Sequence, residues 1–312
     1  MRIGRVAART DTGRRRMRNQ DAFVCDPPLF AVADGMGGAQ AGELASRLAA
    51  AALEERTGGA RGVEAVAALV REANARIYRR AAEDPAAAGM GTTATVVLVD
   101  EEDGTLAIAH VGDSRAYRLR GGVLEQLTAD HSLVAELVRS GRLTEEEAAE
   151  HPHKSVITRA LGTDPDVDVD TLTVPIEPGD LYLVCSDGLT HMVSDGEVLA
   201  ILAEAAGEPE RMAALLVDAA NRAGGEDNIT VIVFEAVEND AAGADAATTE
   251  ADEVTAESQP EPETAPEPRV EAADAKAVRR HGAGPGGRVL ALAAIAVALA
   301  VVALLVYWGI AG

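Results

Sequence analysis

Cysteine is scarce in this sequence, with only Cys25 and Cys185 among 312 residues. Both lie in apolar stretches that are typical of β-strands, and one possible pair is too little for the disulfide framework of a domain of this size. We therefore expect two reduced core cysteines in a cytoplasmic compartment. The basic N-terminal segment is followed by no apolar run of secretory length, so we expect no signal peptide.

Positive charge is also in short supply. The chain has 28 Lys and Arg residues against 51 Asp and Glu residues, which gives a formal net charge of -23 at pH 7. This balance argues against a nucleic-acid partner, because a phosphate backbone attracts basic proteins. About half of the negative excess lies in residues 235–278, so the acidity says little about what the rest of the chain binds.

Motifs of several common enzyme classes are missing. The sequence contains neither the G-x-S-x-G of serine hydrolases nor the H-E-x-x-H of zinc proteases. The stretch "GGAQAGE" has the glycine spacing of a phosphate-binding loop, but Glu43 stands where lysine is required, and "GMGGAQ" lacks the third glycine of the dinucleotide fingerprint. The "HPH" at 151–153 is typical of a surface turn. The sequence therefore gives no support for a nucleotide-binding protein, a serine hydrolase or a zinc protease.

The composition changes sharply near residue 237, which divides the chain into three parts. Residues 1–236 are predicted to form one globular domain. Residues 237–288 are rich in Ala, Glu, Pro and Thr without apolar periodicity, so we expect an acidic, disordered linker. Residues 289–310 are about 22 positions without a charge, which is long enough for one transmembrane helix.

The flanks of the predicted span indicate its orientation. Arg279, Arg280 and Arg288 precede the span, and Tyr307 and Trp308 mark its far interface. Because Lys and Arg collect on the cytoplasmic side of a membrane, we expect a single-pass protein of the cell membrane whose domain faces the cytoplasm.

The first 236 residues contain both strand and helix patterns. Stretches such as "LFAVAD", "TTATVVLVD", "TLAIAHVGD", "RAYRLR", "LYLVCSDG" and "NITVIVFEAV" are rich in β-branched residues and are bounded by Gly or Asp. Helical periodicity covers 41–55 and 63–82, and a second pair covers 197–205 and 209–222. Paired helices between runs of strands predict an α+β fold, with helices stacked on antiparallel sheets.

Four apolar strands have an aspartate at one end. "LFAVAD" ends at Asp34, "IAHVGD" at Asp113 and "YLVCSD" at Asp187, while "DNITVIVF" begins at Asp227. Any one of them is explained by a turn, since Asp-Gly is a common turn signal. If the four ends converge, their repulsion requires protons or cations, and an oxygen-only ligand set favours Mg²⁺ or Mn²⁺. The glycines at 35, 37 and 38 would let backbone atoms approach a metal or a phosphate.

A second cluster is basic. Arg14, Arg15, Arg16 and Arg18 occur within "TGRRRMRNQD". Taken alone, such a run is equally well explained as a solvated surface. Beside a metal site, however, one planar guanidinium can bind two oxygens of a phosphate, which would make the site one for phosphoester chemistry.

The ordered set of motifs resembles the metal-dependent protein phosphatases of type 2C, in their bacterial serine/threonine form. The matching strings are "RRRMRNQDAF", "FAVADGMGG", "GTTATVVLV", "AHVGDSRAYRLR", "LTADHSL", "ITRALG", "YLVCSDGLT" and "GGEDNIT", which span about residues 11–234. The resemblance implies a four-layer α-β-β-α sandwich with two central antiparallel sheets, in agreement with the pattern of helices and strands.

The resemblance also implies a set of metal ligands. Asp34 would bridge two Mn²⁺ or Mg²⁺ ions, with the carbonyl of Gly35 on one ion and Asp187 with Asp227 on the other. Asp113, together with Asp187, would form a third and weaker site.

The same resemblance implies roles for two further residues, one in binding water and one in binding the substrate. Asp21 would hold a metal-bound water, and Arg16, five residues before it, would clamp the substrate phosphate. The implied reaction is hydrolysis of phosphoserine and phosphothreonine by water activated between two metal ions. Met36 and Ala39 stand where relatives have a histidine, which leaves metal-bound water or the flap-like segment 130–164 to protonate the leaving group.

The expected partners are phosphorylated proteins, including membrane Ser/Thr kinases near the anchored domain. Two alternatives stay open. One is a non-catalytic, membrane-tethered phosphoprotein-binding module, which loss of Asp34 or Asp227 would favour. The other is a phosphatase of an anti-sigma-antagonist pathway, whose relatives usually have extra sensory domains. Neither feature is seen in the sequence.

Overall fold

Two antiparallel β-sheets lie at the centre of the computed structural model, which describes residues 1–38, 40–55, 59–149 and 151–238. The strands of the first sheet, in hydrogen-bonded order, are β1 (Arg2–Asp11), β11 (Ile229–Val237), β10 (Leu181–Cys185), β7 (Arg115–Arg120) and β8 (Val123–Gln126). Those of the second are β2 (Asp21–Asp26), β3 (Leu29–Met36), β5 (Ala94–Asp100), β6 (Thr105–Val111) and β9 (Asp170–Pro175), with β4 (Gly91–Thr92) paired to β3.

Helices cover the outer faces of both sheets. Their bounds are α1 (Ala41–Glu54), α2 (Gly62–Glu83), α3 (Leu133–Arg139), α4 (Glu145–Ala149), α5 (Asp187–Thr190), α6 (Asp195–Glu204) and α7 (Pro209–Arg222), with a 3-10 turn at Pro85–Ala87. Buried residues of α1 and α2 pack on the second sheet, and those of α6 and α7 pack on the first. The predicted α+β arrangement of helices on antiparallel sheets is confirmed.

The inner strands are buried on both faces. In β3, Ala31 and Ala33 contact the helix side of the sheet, whereas Phe30 and Val32 point into the space between the sheets. Phe30 stacks there on Phe234 of β11, with ring centroids 4.2 Å apart. Because successive residues of a strand point to opposite faces, a strand covered on both sides needs apolar residues at every position. This explains the continuous apolar runs in the sequence.

The four predicted helices are all present, with small shifts at their ends. The largest shift is at α6, which begins at Asp195 rather than at 197. The Ser194 hydroxyl accepts a hydrogen bond from the backbone N–H of Glu197, and the Glu197 carboxylate accepts one from the backbone N–H of Ser194. This is a capping box, which the sequence "SDGE" already contains.

The predicted C-terminal parts lie almost entirely outside the described residues. Strand β11 continues to Val237, the first residue of the predicted linker, and the rest of the linker beyond residue 238 and the span 289–310 are not described. Within the described ranges, no helix has the length and apolar character needed to cross a bilayer.

Both cysteines are free thiols, as predicted. Cys185 is fully buried in β10, and this burial raises the pKa of its thiol to about 12. Cys25 of β2 is only half-buried, because β2 is an edge strand of its sheet. The expected core position is therefore confirmed for Cys185 and holds only in part for Cys25.

Candidate active site

The ends of several strands meet at one rim of the two sheets. In the second sheet, Asp21 of β2 is paired directly with Asp34 of β3. In the first sheet, β10 ends at Cys185 and β11 begins at Ile229, and their antiparallel pairing brings these ends together. Asp187 and Asp227 flank this junction in the sequence, two residues from each strand. Strand pairing thus places residues far apart in the chain at one site.

A cavity of about 640 Å³ opens at this rim. Its walls include all four predicted aspartates, Asp34, Asp113, Asp187 and Asp227, together with the Gly35–Gly38 segment. The four strand ends therefore converge, which is the condition under which the sequence predicts a cation site. A turn explains each aspartate taken alone, but it does not explain why all four line one cavity.

Asp21 is held behind this cavity. Its Oδ2 atom accepts hydrogen bonds from Thr230 Oγ1 at 2.6 Å and from Ser186 Oγ at 2.8 Å. Its Oδ1 atom is buried and has no partner among the described residues. Burial and the charges of Asp187 and Asp227 raise the pKa of Asp21 to about 7, although the two hydroxyl hydrogen bonds oppose the change.

The same forces act on the aspartates of the cavity. Burial, followed by the charges of Asp21 and Asp187, raises the pKa of Asp34 well above its ordinary value. Burial, with Asp187 next, raises the pKa of Asp113 to about 8. Burial also favours the neutral form of Asp187, but hydrogen bonds from His191 and Asp34 and the nearby positive charges outweigh it and lower its pKa. The site therefore concentrates more negative charge than its surroundings neutralise.

The residues fit a hard divalent cation with part of its water shell. Asp187 Oδ1, like Asp21 Oδ1, is buried without a hydrogen-bond partner in the described chain, and such atoms are compensated by an ion or a water. No three His, Cys, Asp or Glu side chains of the described ranges are grouped to hold an ion by themselves. Mg²⁺ and Mn²⁺ prefer oxygen ligands, and Mg²⁺ in particular keeps several waters, so carboxylates supplemented by water and the Gly35 carbonyl suit them.

Arg16 and Asp227, which the sequence assigned to different roles, are in direct contact. The guanidinium Nη2 of Arg16 donates to Asp227 Oδ2 at 2.5 Å. About half of the Arg16 side chain is exposed, and the residue lines the cavity. The guanidinium therefore lies at the edge of the carboxylate cluster, where it can also reach an anion bound in the cavity.

Gly35 is required for a reason that the sequence did not reveal. A Cβ atom at this position would lie 2.2 Å from the carbonyl oxygen of Gly42 in the first turn of α1. The backbone of neighbouring Asp34 is fixed by two threonines, since its N–H donates to Thr93 Oγ1 and its carbonyl accepts from Thr92 Oγ1. Gly35 thus permits close packing of α1 against the segment that positions Asp34.

The sequence does not identify the group that protonates the leaving group, and two positions bear on this question. Met36 lines the cavity, and Ala39 lies outside the described residues. The predicted flap reaches the cavity through Ser155 and Ile157, and the "HPH" segment of the flap runs into a turn at 152–155 as expected.

His191 is a site residue that sequence reasoning missed. Its Nδ1 atom lies 3.1 Å from Asp187 Oδ2, whereas Asp187 Oδ1 has no hydrogen-bond partner among the described residues. The available signal was its spacing, because His191 follows Asp187 by four residues across the one-turn helix α5 and such residues share a helix face. His191 therefore orients the carboxylate of Asp187.

Replacing His191 by alanine should weaken Mn²⁺ binding about tenfold, since partners that orient a metal ligand typically contribute that much to affinity. Calorimetric titration of the metal-free protein with Mn²⁺ measures the effect. The matched control is His153→Ala, which removes an exposed histidine of the flap turn. Unchanged Mn²⁺ affinity in the His191 variant would contradict this role.

Helix-covered antiparallel sheets, with a carboxylate site and an arginine at their rim, define a metal-dependent phosphatase. Residues 11–221 match the family model of protein phosphatase 2C. The chain belongs to this family, and the predicted class of enzyme, a serine/threonine protein phosphatase, is confirmed.

Individual relatives agree over the same region. The serine/threonine phosphatase stp of Listeria monocytogenes is 41% identical over 239 residues, covering 73% of this chain and 94% of stp. The crystal structure of the Mycobacterium tuberculosis serine/threonine phosphatase PstP/Ppp superposes with a TM-score of 0.71 at 40% identity, covering 76% of this chain and 100% of that chain. A structure of the PstP catalytic domain in complex with 2 manganese ions gives a TM-score of 0.70 at 40% identity, covering 76% of this chain and 99% of that chain.

Proposed function

We propose that this chain hydrolyses phosphoserine and phosphothreonine in proteins with two Mn²⁺ or Mg²⁺ ions held at the sheet rim. The observation that supports this proposal is the single cavity in which Asp34, Asp113, Asp187 and Asp227 meet next to Arg16. When bound, such a pair of ions lowers the pKa of water and stabilises the charge of a transferring phosphoryl group.

We propose that named residues of the chain hold the two ions and a nearby water. Asp34 and the Gly35 carbonyl would contribute ligands to one ion, and Asp34, Asp187 and Asp227, supplemented by water, would contribute to the other. Asp21, with one carboxylate oxygen fixed by Ser186 and Thr230, keeps its free oxygen available for a water near the ions. Asp21 Oδ1 and Asp187 Oδ1, which are buried without hydrogen-bond partners among the described residues, support the roles of these two side chains.

Arg16 binds the substrate phosphate in this proposal. Its planar guanidinium presents two parallel N–H donors, which match two oxygens of a phosphate. Because the structure pairs Arg16 with Asp227, a bound phosphate would compete for the same guanidinium. The arginine thus links substrate binding to the carboxylate cluster.

A direct assay tests the proposal. Full-length protein is incubated with a phosphothreonine peptide and Mn²⁺, and released phosphate is measured with EDTA as the control. Metal-dependent release is expected. Peptide binding without any release would instead support the non-catalytic phosphoprotein-binding module.

A calorimetric stoichiometry of three Mn²⁺ ions, falling to two in Asp113→Asn, would support the weaker third site formed by Asp113 and Asp187.

Replacing Arg16 by lysine should raise KM for a phosphothreonine peptide about tenfold and change kcat less, because lysine keeps the charge but loses the two-donor fork. Steady-state kinetics with Mn²⁺ measure both constants. Arg14→Lys is the matched control, since Arg14 holds the loop through its backbone N–H. A larger KM effect in Arg14→Lys would mean that the phosphate clamp has been assigned to the wrong arginine.

We further propose that residues 289–310 anchor the enzyme in the cell membrane, with the domain in the cytoplasm and membrane Ser/Thr kinases among its substrates. The support is the uncharged length of this segment and its arginine-rich flank. The linker 237–288 would allow the domain to reach at least about 40 Å from the anchor. Confinement near the membrane raises the effective concentration toward membrane-bound substrates.

Truncation after residue 238 tests the anchor. At matched cellular abundance, the truncated protein should fractionate away from membranes and leave a membrane kinase more phosphorylated than the full-length protein does. Both proteins should hydrolyse a soluble phosphopeptide at the same rate. Equal kinase phosphorylation with the two proteins would show that the segment does not serve access to this substrate.

A further inference from the structure

The loop that contains Arg16 is held rigidly at the mouth of the cavity. The backbone N–H groups of Arg14 and Arg15 both donate to the carbonyl of Gly225, at 2.7 and 3.1 Å. The side-chain amide of Asn228 donates to the carbonyls of Thr12 and Arg18, at 2.9 and 3.0 Å. One buried asparagine thus fixes both ends of the loop 12–18, so the exposed side chains between them are presented in a defined arrangement.

Three of those side chains extend beyond the phosphate clamp. Arg15, Met17 and Arg18 line the same cavity as Arg16 and the aspartates, and they are called the specificity rim below. Met17 is 99% exposed, and Arg15 has no carboxylate partner in the described part of the chain. Among the described residues, Glu43 is the only ion-pair partner of the Arg18 side chain, at a long 3.6 Å. These side chains contribute nothing evident to the packing of the domain.

The charge of the rim is opposite to that of the molecule. The chain has a formal net charge of -23, yet two arginines flank Arg16 at the cavity mouth. In the flap, Lys154 precedes Ser155, which lines the same cavity. The arginines at the mouth favour an anionic ligand that extends past the phosphate itself. Residues 1–234 are net acidic by themselves, which argues against nucleic acid as that ligand.

We propose that Arg15 and Arg18 select phosphorylated protein segments with acidic groups two or three residues from the phosphoserine or phosphothreonine. This inference rests on the proposed function. Successive residues of an extended peptide are about 3.3–3.6 Å apart, so neighbouring rim side chains face residues close to the one bound by Arg16. Met17 adds an apolar contact that does not depend on peptide charge. The acidic groups are carboxylates or a second phosphate.

Three phosphothreonine peptides of equal length test the rim with the full-length protein and Mn²⁺. One has glutamine at the flanking positions, one has glutamate there, and one has a second phosphothreonine. Wild-type protein should prefer the glutamate peptide over the glutamine peptide about tenfold in kcat/KM at low salt, since each exposed ion pair contributes about threefold. The preference should shrink in 0.5 M NaCl because salt screens exposed charges.

Two rim variants separate charge from general binding. In the double variant Arg15→Gln with Arg18→Gln, the ratio of kcat/KM for the two peptides should fall to within about twofold of one. Met17→Ser should lower kcat/KM for all three peptides by a similar factor and leave the ratio near the wild-type value. The matched control is Arg79→Gln, an exposed arginine of α2 that does not line the cavity, which should keep the wild-type ratio.

An unchanged ratio in the double variant, or an equal fall in Arg79→Gln, would overturn the proposal. So would a wild-type protein without any preference. A larger rate with the doubly phosphorylated peptide than with the glutamate peptide would identify a second phosphate as the anion, and the reverse order would identify carboxylates. Failure to release phosphate from all three peptides would instead contradict the proposed phosphatase function, so the two failures are distinguishable.

Discussion

Asp34→Asn should lower kcat on a phosphothreonine peptide at least about a thousandfold, because it removes the charge of the carboxylate proposed to bridge both metal ions. The volume of the side chain hardly changes, and the backbone of Asp34 stays fixed by Thr92 and Thr93, so the domain should remain folded. Phosphate release with saturating Mn²⁺ measures the effect, and circular dichroism checks the fold.

The matched control for this change is Asp26→Asn. Asp26 is exposed at the other end of β2, away from the rim, so its variant should retain full activity. Asp227→Asn should behave like Asp34→Asn. More than about a tenth of the wild-type activity in both site variants would contradict the two-metal assignment.

Metal-free protein should lose stability between about pH 4 and pH 8, and Mn²⁺ should restore it. The native pKa values of Asp21 and Asp113 are raised to about 7 and about 8, and that of Asp34 is also raised, whereas an unfolded aspartate titrates near about 4. In this window the native state binds more protons than the unfolded state. The free energy of unfolding therefore falls as the pH rises.

Thermal melts in EDTA and in Mn²⁺ measure this effect. At pH 8, Mn²⁺ at about 100 times its Kd should raise Tm by roughly 5–10 °C, and the increase should be smaller at pH 5, where protons compete for the carboxylates. Asp34→Asn serves as the internal control. Without metal at pH 8 it should melt roughly 3–6 °C above wild type, because one buried charge is gone, and this difference should disappear near pH 4. A metal-free wild type that melts higher than the variant at pH 8 would show that the carboxylates do not repel one another.

The inner strands and the main helices could be predicted from the sequence, whereas three edge strands could not. β1, β8 and β9 each lie at the edge of a sheet, and many of their residues are exposed. A strand that is buried on both faces is apolar at nearly every position, but an edge strand needs few apolar residues. The missing signal is therefore a consequence of where these strands lie in the sheets.

The sequence by itself determined the family, the helices on antiparallel sheets and the four aspartates of the cavity. Each of these follows from a local pattern, such as an apolar strand with an aspartate at one end or a set of motifs in a fixed order. Only the tertiary structure decided that His191 contacts Asp187, that Arg16 contacts Asp227 and that Asn228 fixes the arginine loop. The Arg16 and Asn228 contacts join residues more than 200 positions apart. Such pairs are set by strand register and by the docking of loops, and neither is encoded in the local pattern around either residue.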